Sequence, residues 1–334
     1  ANEEPMKASV YLCYGPPEVL QFEDVTKPTP ADDEVLVRVR AAAVNPLDWH
    51  YMRGSPYIMR LASGLGAPDD SRLGRDFSGT VEAVGDNVKM FKPGDSVFGG
   101  GSGAFAEYLT VREDRALALK PANVTFEQAA SVPIAAITAL QALRDKGKVQ
   151  PGHKVLINGA SGGVGTFAVQ IAKSLGAEVT GVCSTRNVGM VRSIGADHVI
   201  DYTREDYTRR GEKYDVIIDN VGNHSLLANR RVLDPDGILV IVGGSKGNWL
   251  GPLLRPIAAL ILSPFVDQEF VMILAKLAQE DLALLGELMQ SGEVKPVIDR
   301  HYPLNEVPSA LRSSEEGRAR GKIMIACLLY TSPS

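Results

Sequence analysis

Cysteine is scarce, with three residues in 334, at positions 13, 183 and 327. They are odd in number and far apart, which leaves no disulfide framework and no metal-type spacing. The same scarcity fits a reducing compartment, read here as the cytoplasm. Charge of one sign is also lacking: 35 Lys and Arg stand against 40 Asp and Glu, for a net charge of -5. No basic patch supports nucleic-acid binding, and no block of like charge marks a solvated tail. Clean apolar runs are missing too. The longest, Trp249 to Val266, is broken by Arg255 and three prolines, so it reads as core, pocket wall or subunit interface and not as a membrane span. The N-terminus is acidic and polar and has no apolar signal core. Met6 reads as the native start, with residues 1–5 as a variable lead.

What is present is an ordinary globular composition, 45% apolar and 22% charged, over a length that suits about two domains. The first third reads as short strands and turns. Val35, Val37 and Val39 alternate over Glu34 to Val39, Thr80 to Val84 is a short apolar run, and Lys92-Pro93-Gly94-Asp95 is a turn. Such punctuation predicts a small β-barrel-like domain. From Phe126 to Leu143 the chain reads as helix, with Pro133 as a local break. A strand–helix rhythm then begins at Lys154 and predicts a doubly wound parallel sheet. Its strands are Val155 to Ile157, Glu178 to Cys183, His198 to Ile200, Val216 to Ile218 and Ile238 to Val242. Phe270 to Met289 reads as one long helix, and Val297 to Ile325 as strands and a helix returning to the first domain. The resulting division is 1–125 and 269–326 for a discontinuous first domain and 126–268 for the second. Residues 327–334 look like translated adapter sequence and are set aside as a non-native tail, against the alternative of a natural, poorly ordered one.

The chemistry-bearing feature is the segment Lys154 to Leu175: strand, glycine turn, helix. The turn reads Ala160-Ser161-Gly162-Gly163-Val164-Gly165. Gly162 lets the backbone approach a pyrophosphate, Gly165 lets the helix pack on the strand, and the helix N-terminus faces the anion. This is a dinucleotide site. An Asp or Glu about 20 residues on would bind a ribose 2′-hydroxyl. Here the second strand ends Cys183-Ser184-Thr185-Arg186-Asn187, without a carboxylate. Hydroxyls and a guanidinium suit a 2′-phosphate, so NADPH is the expected cofactor, read by Ser184, Thr185 and Arg186. Two further strand ends, at Asn220 and at Gly243-Gly244-Ser245, fall at the sheet's carboxyl edge, where ligands bind.

At these residues the chain resembles the medium-chain dehydrogenase/reductase superfamily, and within it the zinc-independent quinone oxidoreductase (zeta-crystallin-like) branch. The resemblance runs from about Met6 to Ile325 through Ala43 to Asp48, Gly74 to Gly79, Gly103 to Tyr108, Asn158 to Gly165 and Gly321-Lys322. It implies an α/β architecture with a GroES-like β-barrel catalytic domain, a Rossmann domain and an active cleft, assembled as a homodimer or homotetramer. The zinc enzymes of the superfamily carry a cysteine where this chain has Asn45, and a His-Glu pair where it has Arg75-Asp76. A catalytic zinc needs three donors and an open position, so no metal is expected.

The resemblance places Asn45 and Thr138 near the nicotinamide, and Lys322 stands between a lysine of the cofactor cleft and a structural role. Asp48 is expected to fix the local loop. His50 stands between a donor to a developing oxyanion and a packing histidine. Tyr202 stands between an adenosine-phosphate contact and a structural role. The long connection Gly54 to Arg72, with Tyr57, and the stretch with Trp249 stand between walls of an apolar acceptor pocket and packing loops. Without zinc to polarise a simple ketone, conjugated acceptors are favoured: quinones and α,β-unsaturated carbonyls. Two other readings stay open, a carbonyl or alcohol oxidoreductase and a non-catalytic NADPH-binding protein.

Overall fold

The structure is a computed structural model that describes residues 4–243, 258–259 and 266–327. Trp249, Gly244, Ser245 and residues 328–334 lie outside the described residues. The chain divides into two units. Unit 1 is Ala1–Ile134, Leu277–Gly292 and Ile298–Ser334, and unit 2 is Ala135–Lys276 with Glu293–Val297.

Unit 1 begins with a hairpin of β1 (Pro5–Tyr11) and β2 (Leu20–Thr26). Pro5 already pairs with Thr26, and the Lys27 N–H donates to Glu4 O, so part of the expected variable lead is built into the sheet. The main sheet uses β3 (Glu34–Val44), β4 (Asp76–Val84), β5 (Ser96–Gly100), β6 (Tyr108–Arg112) and β7 (Leu117–Leu119). The alternating Val35, Val37 and Val39 are fully buried, as their period predicts. Bulges in the β3–β4 pairing then break the alternation, and Ala41, Ala42 and Ala43 are buried in succession. Their small side chains suit close cover by the helix Phe126–Ala130, since Ala41, Ala43 and Ala130 share one cluster with Met324.

In unit 2 the rhythm expected from Lys154 onward is present. The strands are β8 (Lys154–Asn158), β9 (Glu178–Cys183), β10 (His198–Asp201), β11 (Tyr214–Asp219), β12 (Leu233–Ile241) and β13 (Glu269–Met272). They lie in the order β10-β9-β8-β11-β12-β13, all parallel. The order reverses between β8 and β11, which is where an open sheet of this kind binds its ligand.

One expectation is corrected here. Phe270 to Met289 is not a single helix. Its start is β13, which pairs with β12, and the helix runs only over Gln279–Ser291. Phe270 and Val271 suit a pleated strand, whereas Leu282, Leu285 and Met289 carry the buried helical stripe. The return to unit 1 therefore starts at Leu277 rather than 269.

Unit 1 closes with β14 (Ile298–Pro303), the helix Val307–Glu315 and β15 (Lys322–Ala326). β15 lies antiparallel to β3 and sets Ile323 opposite Val44. Cys327, grouped with the non-native tail on sequence, is fully buried in the unit 1 core, and its N–H donates to Arg40 O. The core thus includes the first residue of that octapeptide. Among the described residues no helix is long and apolar enough to cross a membrane.

Candidate functional site

In unit 2, β8 delivers the chain to its carboxyl edge at Asn158. The left-handed residue of the turn is Gly159, at φ 80°, so alanine at 160 meets no backbone strain and its side chain is buried. Gly162 caps the helix Gly163–Ser174 in an extended conformation, and the first helical bond runs from the Thr166 N–H to Gly162 O. The N–H groups of Gly163, Val164 and Gly165 therefore have no partner within the helix and form the anion-binding end. A Cβ on Gly165 would sit 2.0 Å from Gly159 O, so helix and turn approach too closely for any side chain. Among the described residues, a Cβ on Gly162 would meet Gly159 O alone, at an ordinary 3.5 Å.

The other side of the switch point is polar. Asn158 Nδ2 donates to Asp219 Oδ1 at 2.9 Å and to Asn223 Oδ1 at 2.8 Å. Asp219 Oδ1 also accepts from the Val221 and Gly222 N–H groups. Asn220 Nδ2 donates to Asn158 O, while its Oδ1 is buried with no hydrogen-bond partner. A buried orphan acceptor is costly, and at this edge it fits a donor group of a bound cofactor. Gly243 backs onto this turn, since a Cβ there would be 2.1 Å from Asn220 O. The sequence placed the strand ends at Asp219-Asn220 and Gly243 on the cofactor edge and marked Asn158 only as part of the family motif, but it did not pick out Asn223 or the bonds that join these side chains. The only signal for these was polar residues ending two adjacent strands.

At the end of β9, Ser184 is half-buried, and Thr185 and Arg186 are exposed. Thr185 is not idle: its hydroxyl donates to Asp201 Oδ2 at 2.5 Å. The third strand thus brings a carboxylate beside the second, which spacing along the chain does not reveal. That carboxylate is already engaged. It also accepts from the Thr203 N–H and hydroxyl and lies 3.6 Å from Arg204. The Thr185 hydroxyl, foremost among these partners, holds Asp201 below the usual carboxylate range. Tyr202, next to it, is 59% exposed. Thr138 lies half-buried in the helix Pro133–Gln141.

In unit 1, Asn45, Asp48, Asp76 and Lys322 form one buried cluster, each no more than 3% exposed. Lys322 Nζ donates to Asn45 Oδ1 at 2.5 Å and to Val44 O at 3.0 Å, and lies 4.0 Å from Asp76 Oδ2. Asn45 Nδ2 donates to Asp76 Oδ2 at 3.0 Å. Asp76 also accepts the Ile134 N–H, at the start of the helix that Pro133 opens, where a negative charge is favoured. Asp48 accepts the Asn45 backbone N–H at 2.7 Å and fixes the start of the helix Pro46–Arg53. Both ends of the Asn45 amide are thus committed inside the protein.

Burial pushes the Asp48 carboxyl up to about 7 and that of Asp76 up to about 6, while it lowers the Lys322 ammonium. A zinc ion does not fit this donor set. Asn45 and Asp76 already share the ammonium, and a cation cannot replace it without stranding Lys322. Among the described residues no group of three His, Cys, Asp or Glu side chains is placed to hold a metal.

The raised Asp48 value fixes a sign. Its contribution to stability is present below the ordinary value near 4 and is lost as pH rises through about 7. Asp48→Asn keeps an acceptor for the Asn45 N–H and removes the charge. Relative to the parent, the variant is expected to gain about 2 kcal/mol, some 5 °C in Tm, between pH 5 and pH 8. Thermal melts at the two pH values measure it, and a parallel pH response of both proteins would refute it.

His50 stacks on Trp49 with ring centroids 3.7 Å apart, and its Nδ1 lies 2.6 Å from Ser55 O. A carbonyl only accepts, so Nδ1 carries the proton, and burial keeps the ring below its ordinary basicity. Tyr57 stands at the edge of an exposed apolar stretch, with Ile58 53%, Leu61 74% and Leu65 74% exposed. The Arg60 guanidinium lies 4.8 Å from the Tyr57 ring centroid.

Comparison with known proteins supplies the context. Residues 31–121 match the alcohol dehydrogenase GroES-like domain, and residues 194–325 match the domain described as zinc-binding dehydrogenase. The Mus musculus protein named NAD(P)H oxidoreductase RTN4IP1, mitochondrial, is 34% identical, over 97% of this chain and 90% of its own length. The Arabidopsis thaliana NADPH-dependent alkenal/one oxidoreductase, chloroplastic, is 32% identical, over 96% of this chain and 79% of its own length. Among solved structures, the quinone oxidoreductase from Coxiella burnetii superposes with a TM-score of 0.85 at 31% identity, over 97% of this chain and 99% of that one.

Proposed function

The chain belongs to the medium-chain dehydrogenase/reductase superfamily, in its quinone oxidoreductase branch, and from that premise we propose a zinc-independent reductase that passes hydride from NADPH to a quinone or an α,β-unsaturated carbonyl. That it is an oxidoreductase using a nicotinamide cofactor follows from the relatives. The narrower reading is carried by one observation: a lysine ammonium bonded to Asn45 where the superfamily's zinc enzymes place a ligand.

Bound NADPH supplies the hydride from C4 of its nicotinamide. The residues of this chain do the rest. The Gly163 to Gly165 N–H groups hold the pyrophosphate, and Ser184 and Arg186 hold the 2′-phosphate. Asp48, Asp76 and Lys322 fix Asn45 and the start of its helix. Asn45 and Asp76 are engaged by the Lys322 ammonium and are not open to a Lewis acid, which favours an acceptor that spreads the added charge through its own conjugation. The exposed Ile58, Leu61 and Leu65 suit an apolar acceptor. The scattered cysteines favour a reducing compartment such as the cytoplasm, and the branch favours a homodimer or homotetramer.

Initial rates of NADPH oxidation with a quinone, an enone and a simple ketone test this, each with and without a chelator. Conjugated acceptors are expected to turn over at least about 100-fold faster than the ketone, a gap of some 3 kcal/mol in barrier, unchanged by chelation. Chelator-sensitive ketone reduction supports the carbonyl oxidoreductase instead. Tight binding without turnover on any acceptor supports a non-catalytic role.

A further inference from the structure

We propose that Asn187 is a positioning residue that presets two serine hydroxyls as donors to the 2′-phosphate of NADPH. The inference rests on the cofactor reading above. Asn187 is 4% exposed and follows the end of β9. Its Nδ2 donates to Ser161 Oγ at 3.0 Å and to Ser184 Oγ at 3.3 Å. Ser161 sits in the glycine turn after β8 and Ser184 just past β9, so one amide nitrogen ties the two loops together. The two Oγ atoms can be no farther apart than those two bonds laid end to end. That spacing lets both face a single phosphate group.

A phosphate oxygen only accepts hydrogen bonds, whereas a serine hydroxyl has one hydrogen to give and two lone pairs. Each serine spends a lone pair on Asn187 and keeps its O–H for an anion. An acceptor at position 187 would draw both O–H bonds inward and turn lone pairs toward the phosphate.

The amide orientation follows from the same count. Asn187 Oδ1 is buried without a partner. Turning the amide over would place an NH2 there, and stranding two donors costs more than stranding one acceptor. Thr185, the third hydroxyl nearby, is committed to Asp201. Thr203, beside Thr185, is likewise bonded to Asp201, so among the described residues Ser161 and Ser184 are the hydroxyls that Asn187 sets toward the ligand.

The test is a set of dissociation constants for NADPH, NADH and adenosine 2′,5′-bisphosphate, with thermal melts alongside. Asn187→Ala is expected to weaken NADPH and the bisphosphate about tenfold and to leave NADH within about twofold. Asn187→Asp can only accept; it is expected to weaken NADPH by about 30-fold or more while keeping a residue favoured at a helix start. Equal loss for NADH and NADPH would mark a merely structural residue and overturn the proposal. The aspartate also repels a phosphate directly, so Asn187→Ala is repeated in a chain with Ser161→Ala and Ser184→Ala. No further loss is expected there; a full additional tenfold loss overturns the proposal. A parent that prefers NADPH while Asn187→Ala binds it unchanged overturns the proposal alone. A parent that binds NADH as tightly as NADPH and ignores the bisphosphate overturns the cofactor reading as well.

Discussion

Lys322→Met is expected to destabilise the protein by about 3–5 kcal/mol, the usual result of removing one partner from a buried charged group. The ammonium donates to Asn45 Oδ1 and offsets the buried Asp76 carboxylate. Methionine fills similar space and supplies no proton. Asn45 Oδ1 loses that bond, and both acids lose the cation that favours their ionised forms. Their carboxyls then rise further, so the loss is larger at pH 8 than at pH 5. A shift of about 10 °C in the melting of unit 1 is expected at pH 8. Urea or thermal unfolding at both pH values reads it. A loss under 1 kcal/mol at pH 8 would mean that the cluster is not held by charge.

Two glycine changes in the cradle are expected to part company. Gly162→Ala adds a methyl at ordinary contact distance from Gly159 O, so the fold should melt within about 1 °C of the parent. On the proposed cofactor reading the methyl stands where the pyrophosphate approaches, and NADPH binding should fall at least about 100-fold. Gly165→Ala instead drives its methyl to 2.0 Å from Gly159 O. Helix and turn must separate, so stability falls by about 1–3 kcal/mol along with binding. Melting curves paired with NADPH titrations separate the two outcomes. Equal stability losses would mean that Gly162 also has a structural task.

Much of this was legible beforehand because its causes are local. The valine alternation located β3, the glycine turn located the cradle, and Pro133 located the second of two helices. The reading ended β3 too early because its bulges shift the alternation. It merged β13 into a helix because a short apolar run beside a helical stripe has no period of its own. The cluster in unit 1 was seen only as separate parts. Asn45, Asp48 and Lys322 each stood out, but pairing Ile323 with Val44 is a long-range fact. That pairing puts Lys322 beside Asn45 and gives Asp76 its cation. Asp201 was missed for the same reason: its neighbour Thr185 follows the end of a different strand, β9.

The tie between Lys322 and Asn45 also bears on the order in which the chain is made. Their separation is 277 residues, roughly 14–55 s of synthesis at about 5–20 residues per second. Through that interval Asp48 and Asp76 have no ammonium and stay in water as charged groups. Nearly all of unit 2, Ala135–Lys276, emerges as one stretch and is free to fold meanwhile. The residues synthesised first are therefore among the last to be buried, and a ribosome that stalls short of Lys322 releases a chain with its first unit still open.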